Sequence, residues 1–308
     1  MKILLVTPRE RADAWRVALA AALPDATIAL WPNECPAEPE YALVWKPPAE
    51  VFARVRPTKA IFNLGAGVNA LLDVAGLPAD LPVIRLEDAG MAVQMAEYVT
   101  LAVLRAYREA DAYAAQQRKG QWQPRPRIAK AAFGVGILGF GVLGQAVASA
   151  LACFDFPLAG WSRERKAVPG VTSFAGRAEL SSFLARSRAL VCVLPVTAET
   201  RGLLDRANLS SLPRGAHLIN IARGEIIVDE DLVALLDAGH LAGATLDVFH
   251  EEPLPSGHPF WRHPLVTVTP HNSAVTLVDE SITQIVAKIR RLERDESVTG
   301  VIDRTRGY

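Results

Sequence analysis

The sequence predicts an α/β protein of two parallel-sheet domains, Rossmann-like or flavodoxin-like, with an active-site cleft between them. Three observations carry this. Short β-rich apolar runs alternate with helical patterns along the chain, as in parallel sheets covered on both faces. Two such series are separated by a long Ala-rich stretch that starts near Met91. The 308 residues also suffice for two cores, at roughly 100–200 residues per domain.

In the first series the strands fall at residues 3–7, 27–31, 41–45, 60–64 and 83–86. A single charge-poor helix follows from about Met91 to Gln117 and stops at Gly120. Residues 121–127, which include Trp122, Pro124 and Pro126, are read as an extended exposed segment because proline disfavours helix. The second series places strands at 133–138, 158–161, 190–194, 218–221, 245–249 and 266–269. A closing helix over 277–294 has apolar residues at helical spacing and Arg290, Arg291 and Arg294 on its far turns.

Composition excludes several classes. With 33 basic and 33 acidic residues the chain is formally neutral, which argues against a nucleic-acid or membrane-surface binder. Half its residues are hydrophobic, which argues against disorder. Cys35, Cys153 and Cys192 form no C-x-x-C pair and read as buried thiols of a cytoplasmic protein. The apolar run 3–6 is too short for a signal-peptide core before Pro8 and Arg9. Residues 131–154 lack charge over a membrane-spanning length, but Gly134, Gly136, Gly139, Gly141 and Gly144 break the first half into a strand and a turn.

That turn is the strongest motif. Gly139, Gly141 and Gly144 form G-x-G-x-x-G with a buried strand before and an Ala-rich helix after. Gly139 permits the tight turn, Gly141 lets backbone approach a pyrophosphate, and Gly144 lets the helix pack on the strand. The helix N-terminus offers amides to the anion. Past the next strand, NAD binding calls for a carboxylate to hold the ribose. The chain instead reads Trp161-Ser162-Arg163-Glu164-Arg165-Lys166, and a hydroxyl with three cations suits a 2′-phosphate. NADPH is therefore favoured over NADH, the other reading being an ordinary solvated basic loop.

Ligands of open α/β sheets sit beyond the carboxyl ends of the strands. Arg223, Glu252 and His271 each follow such an end. Arg223 can bind a carboxylate and polarise an adjacent ketone, and His271 can deliver a proton as hydride reaches carbon. Glu252, hydrogen-bonded to His271, would favour the protonated ring and fix its tautomer. His250, His258, His263 and His271 fall in one window, which raises a metal site. The prolines among them and the lack of i, i+4 pairs favour a loop with no metal. His217 and His240 read as structural. In the first domain Leu64, Gly65, Ala66 and Gly67 follow a strand and are either an anion-binding nest or a turn that needs glycine. Trp45 and Lys46 wall the same region or, for Trp45, simply pack.

These residues resemble the D-isomer-specific 2-hydroxyacid dehydrogenases. The likeness rests on the glycine fingerprint, Asn220-Ile221-Ala222-Arg223-Gly224, Leu246-Asp247-Val248-Phe249 with Glu252-Pro253, and Thr269-Pro270-His271. More specific runs are Tyr41-Ala42-Leu43-Val44-Trp45, Leu64-Gly65-Ala66-Gly67-Val68, Arg85-Leu86-Glu87-Asp88 with Gly90-Met91, Trp161-Ser162-Arg163, and Asp303-Arg304 with Arg306-Gly307-Tyr308. They are most similar to the branch of the family that reduces glyoxylate and hydroxypyruvate.

The resemblance implies that Arg223, Glu252 and His271 are catalytic and that Trp45 and residues 64–67, with Arg223 and His271, line the substrate site. It implies that Asp247 contacts the nicotinamide carboxamide. The expected cofactor set is then Gly139, Gly141, Val142, Leu143 and Gly144, the Ser162, Arg163, Arg165 and Lys166 loop, Pro195, Ile221, Ala222 and Asp247. It further implies a homodimer through the cofactor domain, and a cofactor domain at 95–275 inserted into a substrate domain of 1–94 and 276–308. Glu252 disfavours formate as substrate, since formate dehydrogenases of this group carry glutamine there. Asn272 after the histidine departs from the family pattern, and Lys46 is another place where substrate preference could differ. The rival readings are a reductase of a bulkier 2-keto acid and a non-catalytic dinucleotide sensor.

Overall fold

The computed structural model describes residues 1–307; Tyr308, from the terminal motif, lies outside them. The chain divides into two compact units, Met1–Met91 with the chain from Thr276 onward, and Ala92–Val275.

The first unit is built on β1 (Lys2–Val6), β2 (Thr27–Leu30), β3 (Tyr41–Val44), β4 (Ala60–Asn63) and β5 (Val83–Arg85), all parallel in the order β2-β1-β3-β4-β5. That is the flavodoxin-like order. Tyr41, Ala42, Leu43 and Val44 are all fully buried, as continuous apolar strands are when helices cover both faces. Helices α1 (Arg9–Ala22), α2 (Glu50–Arg54) and α3 (Asn69–Leu72) belong to this unit.

The second unit carries β6 (Val135–Leu138), β7 (Leu158–Ser162), β8 (Val171–Ala175), β9 (Ala189–Cys192), β10 (Ala216–Asn220), β11 (Leu241–Leu246) and β12 (Val266–Val268). They form one parallel sheet in the order β12-β11-β10-β9-β6-β7-β8. The strand order reverses at β6 and β9, the point where open α/β sheets bind ligands. Helices α4 (Met91–Tyr107), α5 (Ala110–Arg118), α6 (Val142–Leu151), α7 (Leu180–Leu184), α8 (Arg206–Ser210) and α9 (Asp229–Asp237) complete it, with α4 starting at the last residue of the first unit.

Several expectations shift. The single helix over 91–117 is two, because Glu109 adopts a left-handed conformation (φ +53°) and Arg105 pairs with Asp111 across the break. The strand β8 escapes the pattern because it is a part-exposed edge strand with no fully buried residue. The strand placed at 245–249 begins earlier, at Leu241, and Asp247 onward is loop. The charge-free run 131–154 becomes β6, a turn and α6; among the described residues no helix is long and apolar enough to cross a membrane. Of the three cysteines only Cys192 is buried, and burial pushes its thiol up to about 12; Cys153 is exposed.

Helix α10 (Val278–Leu292) returns to the first unit. Ile282, Ile285, Val286 and Ile289 form its buried stripe, while Asp279 and Glu280 in the first turn and Arg290 and Arg291 in the last complement the helix dipole. Its buried Lys288 donates to the Arg85 carbonyl (3.2 Å) and to Glu87 Oε2 (3.1 Å). Burial alone would raise the Glu87 carboxyl, but hydrogen bonds from Thr299 and Lys288 and the Lys288 charge outweigh it and hold it below the ordinary glutamate value. A depressed carboxyl stabilises the fold above its unfolded pKa, and that contribution is lost as pH falls through the folded value. Urea midpoints measured between about pH 6 and pH 3 should therefore fall less steeply for Glu87→Gln than for the wild type. Parallel slopes would contradict this.

Candidate active site

The glycine loop lies at the sheet's switch point, and each glycine has its own reason. Gly139 has φ +108°, and a Cβ there would lie 2.7 Å from the Val193 carbonyl carbon. A Cβ on Gly144 would lie 2.2 Å from the Gly139 oxygen, so glycine lets α6 close on β6. Around Gly141 nothing lies within 4 Å of that position. This open space at the start of α6, where Val142, Leu143 and Gly144 present amides with no partner inside the helix, fits a pyrophosphate against backbone.

At the end of β7 the basic loop divides its cations. Arg165 donates to the Ser173 carbonyl and to Glu179, so it is held against β8. Lys166 anchors through its backbone to Ser173 Oγ (3.0 Å), and Ser162 Oγ turns back to the Glu164 carbonyl (2.6 Å). Arg163 lies 3.5 Å from Glu199 in the loop after β9. In that loop the Pro195 carbonyl accepts from Thr200 Oγ1 (2.7 Å).

Arg223 follows β10. The buried Asn220 shapes its turn, donating to the Arg223 carbonyl (2.9 Å) and accepting from the Ala222 amide (3.1 Å). Ile221 and Ala222 are buried beside it. Gly224 lets this turn touch the next loop: a Cβ there would sit 2.0 Å from the Phe249 carbonyl carbon and 2.3 Å from the His250 nitrogen. The half-buried Arg223 guanidinium donates to the Ala222 carbonyl (2.6 Å), and among the described residues it has no ion-pair partner within 4 Å. Burial pushes its pKa down, with Glu252 and Glu225 acting the other way.

Glu252 and His271 meet. Glu252 Oε1 accepts from the Phe249 amide (3.1 Å), and Oε2 lies 2.7 Å from His271 Nδ1. An ionised carboxylate has no proton to give, so Nδ1 carries the hydrogen and Nε2 is left to exchange one. His271 is held in a left-handed conformation (φ +51°), its amide shared between the carbonyls of Asp247 (2.8 Å) and Thr269 (3.1 Å). Asp247, fully buried, takes Thr269 Oγ1 (2.6 Å) and the amides of Asn272 (2.9 Å) and Ser273 (2.8 Å). In this structure its carboxylate therefore fixes the histidine loop, a task the sequence does not advertise.

The remaining histidines separate. His250 and His258 flank Asp229 at 3.6 and 3.5 Å, and His263 lies 3.3 Å from Asp237. Among the described residues no cluster of three or more His, Cys, Asp or Glu side chains could hold a metal ion. His217 is buried against Thr245 Oγ1 (3.0 Å), and burial pushes its pKa down to about 4.

In the first unit, the loop after β4 is held by buried Asn63, which donates to the carbonyls of Gly65 (2.8 Å) and Gly67 (3.0 Å). A Cβ on Gly65 would lie 2.2 Å from Trp45 Cζ3, so glycine is required by the indole packed on it. Leu64 is buried and Ala66 half-buried. Lys46, with φ +44°, places Nζ 5.9 Å from the Trp45 ring centroid.

Residues 100–273 match the family model described as D-isomer specific 2-hydroxyacid dehydrogenase, NAD binding domain. The chain belongs to this family. It is accordingly an NAD(P)-dependent oxidoreductase by descent. It is 46% identical, over all of both chains, to a glyoxylate/hydroxypyruvate reductase A of Yersinia enterocolitica. A D-isomer specific 2-hydroxyacid dehydrogenase from Xanthobacter autotrophicus Py2, solved with NADPH and MES, superposes with a TM-score of 0.94 at 43% identity, covering 100% of this chain and 99% of that one. The NADPH-dependent glyoxylate/hydroxypyruvate reductase of Sinorhizobium meliloti, solved with NADP and sulfate, gives 0.93 at 35% identity with the same coverage. In a family of 2-hydroxyacid dehydrogenases, the conjunction of a glycine cradle, a guanidinium with no ion-pair partner within 4 Å among the described residues and a carboxylate-bound histidine has a direct chemical reading.

Proposed function

We propose that the protein is an NADPH-dependent reductase of small 2-oxo acids, converting glyoxylate to glycolate and hydroxypyruvate to D-glycerate. The observation that carries this is Arg223: a half-buried guanidinium with no carboxylate within 4 Å among the described residues, beside the Glu252–His271 pair. A cation in that state is a site prepared for a substrate carboxylate, which its planar fork can hold with two parallel hydrogen bonds. The names of the relatives above support the same substrates.

The glycine loop with Val142 and Leu143 would hold the pyrophosphate, Arg163 the 2′-phosphate, and Pro195, Ile221, Ala222 and Asp247 the nicotinamide end. When bound, the dihydronicotinamide supplies a hydride to the carbonyl carbon. Arg223 takes the substrate carboxylate; in the first unit the backbone of residues 65–67, under Trp45, is the candidate anion nest. His271 Nε2 delivers a proton to the ketone oxygen, and Glu252 holds the ring and stabilises its charged form until that proton leaves. The product is the 2-hydroxy acid, and His271 is reprotonated from solvent.

Arg165 is tied to both the Ser173 carbonyl and Glu179, whereas Arg163 stands in a longer 3.5 Å pair with Glu199, so the preference for NADPH is assigned to Arg163. Arg163→Ala is expected to lower kcat/KM for NADPH by about 10–100-fold, with little change for NADH, whereas Arg165→Ala should leave the ratio near wild type. Equal losses for both cofactors would contradict this. A coupled assay for D- and L-glycerate after NADPH reduction of hydroxypyruvate tests the reaction itself: the D isomer is expected, and L-glycerate or no product would overturn the proposal.

The same reading makes the protein a cytoplasmic homodimer paired through its cofactor domain. Val93 and Leu101 on α4 are 65% and 69% exposed and Trp122, in the segment after α5, is 98% exposed, apolar groups that a second copy would cover.

A further inference from the structure

The segment from Thr269 to Val275 carries His271, and both its ends are held by one helix face. Near the start of α4, Gln94 exchanges two hydrogen bonds with the Val275 backbone: its amide donates to the Val275 carbonyl (3.0 Å), and its oxygen accepts from the Val275 amide (3.1 Å). One turn later Tyr98 lies 2.6 Å from Thr269 Oγ1. The Thr269 hydroxyl spends its only proton on Asp247 Oδ1, so the Tyr98 hydroxyl must be the donor in that contact. The chain of bonds therefore runs Tyr98 to Thr269 to Asp247, and from Asp247 to the backbone of residues 271–273.

We propose that Tyr98, through Thr269 and Asp247, is a positioning residue for the proton donor, with Gln94 fixing the far end of the same segment. Backbone strain and burial both support this. His271 sits in the left-handed region, which a non-glycine side chain occupies only where its surroundings dictate it. Asp247 is a fully buried carboxylate with no cation among its described partners, so its charge is balanced by hydrogen-bond donors. Removing the hydroxyl that Tyr98 orients takes one donor away and lets the carboxylate shift, and with it the backbone of 272–273 that it holds, directly after His271. A shift of about 1 Å at a proton donor lowers the rate without touching the glycine cradle or Arg223. Burial pushes the Tyr98 hydroxyl above its ordinary pKa, so it remains a donor throughout the neutral range.

This rests on the reading of His271 as proton donor, and the test separates the two. The full-length enzyme is assayed with NADPH and glyoxylate as wild type, Tyr98→Phe, Thr269→Val, Thr269→Ser, the Tyr98→Phe/Thr269→Val double variant and His271→Asn. Tyr98→Phe and Thr269→Val are each expected to lower kcat by about tenfold, with unchanged glyoxylate KM. The solvent deuterium isotope effect on kcat should rise in both as proton transfer becomes limiting. Thr269→Ser, which keeps the hydroxyl, should restore the rate, and the double variant should be no slower than Thr269→Val, because both break one chain. Wild-type kcat and isotope effect in Tyr98→Phe, or additive losses in the double variant, would overturn the proposal. If Thr269→Val does not fold, Tyr98→Phe and Thr269→Ser still decide it. Near-normal turnover in His271→Asn would instead sink the reading of the site on which the proposal stands.

Discussion

Arg223→Ala is expected to lower kcat/KM for glyoxylate by about 10³-fold while leaving NADPH affinity unchanged. The size follows from losing a charge-assisted, two-pronged contact in a desolvated position, where the substrate carboxylate has no comparable partner. Arg223→Lys keeps the charge but loses the fork, so it should recover only part of the rate. The structure also predicts an unusual companion effect. Because Arg223 is half-buried with its pKa pushed down by burial and, among the described residues, no carboxylate within 4 Å, it contributes little to folding, and Arg223→Ala should leave Tm unchanged or raise it. Turnover within about tenfold of wild type would remove Arg223 from the mechanism. A large fall in Tm would instead make it a structural residue.

Gly224→Ala should be severe for a different reason. The added methyl would meet the Phe249 carbonyl carbon at 2.0 Å and the His250 nitrogen at 2.3 Å, both backbone atoms that cannot rotate away. Relief requires the β10 and β11 loops to part, which separates Arg223 from Glu252. The variant is expected to lose about 3 kcal/mol of stability and to turn over about a hundredfold more slowly, or worse. NADPH should still bind the folded fraction through the glycine cradle on other loops, but more weakly, because Ala222 and Asp247 lie on the loops that part. Gly257→Ala is the matched control, because a Cβ there meets nothing within 4 Å, and it should be close to neutral. Unfolding curves and turnover rates measured side by side would contradict this if the two variants behaved alike.

The parts of this molecule legible in the sequence are those where local pattern and tertiary demand coincide. Buried parallel strands are apolar throughout, so β1, β3 and β4 stand out, and G-x-G-x-x-G states its own backbone requirements. The pairing of Glu252 with His271 is legible because both follow strand ends, and the structure places them in hydrogen-bond contact. What stays hidden has no compositional mark. Glu109 breaks a helix by adopting a conformation usually left to glycine or asparagine. Arg165 is indistinguishable from Arg163 until Glu179 is brought to it by folding. Tyr98 reads as one more half-buried residue of an Ala-rich helix, since its partner Thr269 is far away in sequence. Two asparagines do carry a signal that strand patterning alone passes over. Asn63 closes β4 and Asn220 closes β10, each fully or nearly buried, each bonding the backbone of the functional loop that follows. A buried asparagine at the end of a parallel strand, just before a glycine-containing loop, marks a loop whose shape is being held.

The most direct test of the central claim is steady-state oxidation of NADPH and NADH by the purified protein, with glyoxylate, hydroxypyruvate, pyruvate and phenylpyruvate offered in turn. Fast NADPH oxidation is expected with glyoxylate and hydroxypyruvate, with slower reaction from NADH and poor turnover of phenylpyruvate. Preference for phenylpyruvate, or NADPH binding without turnover of any of the four, would contradict it.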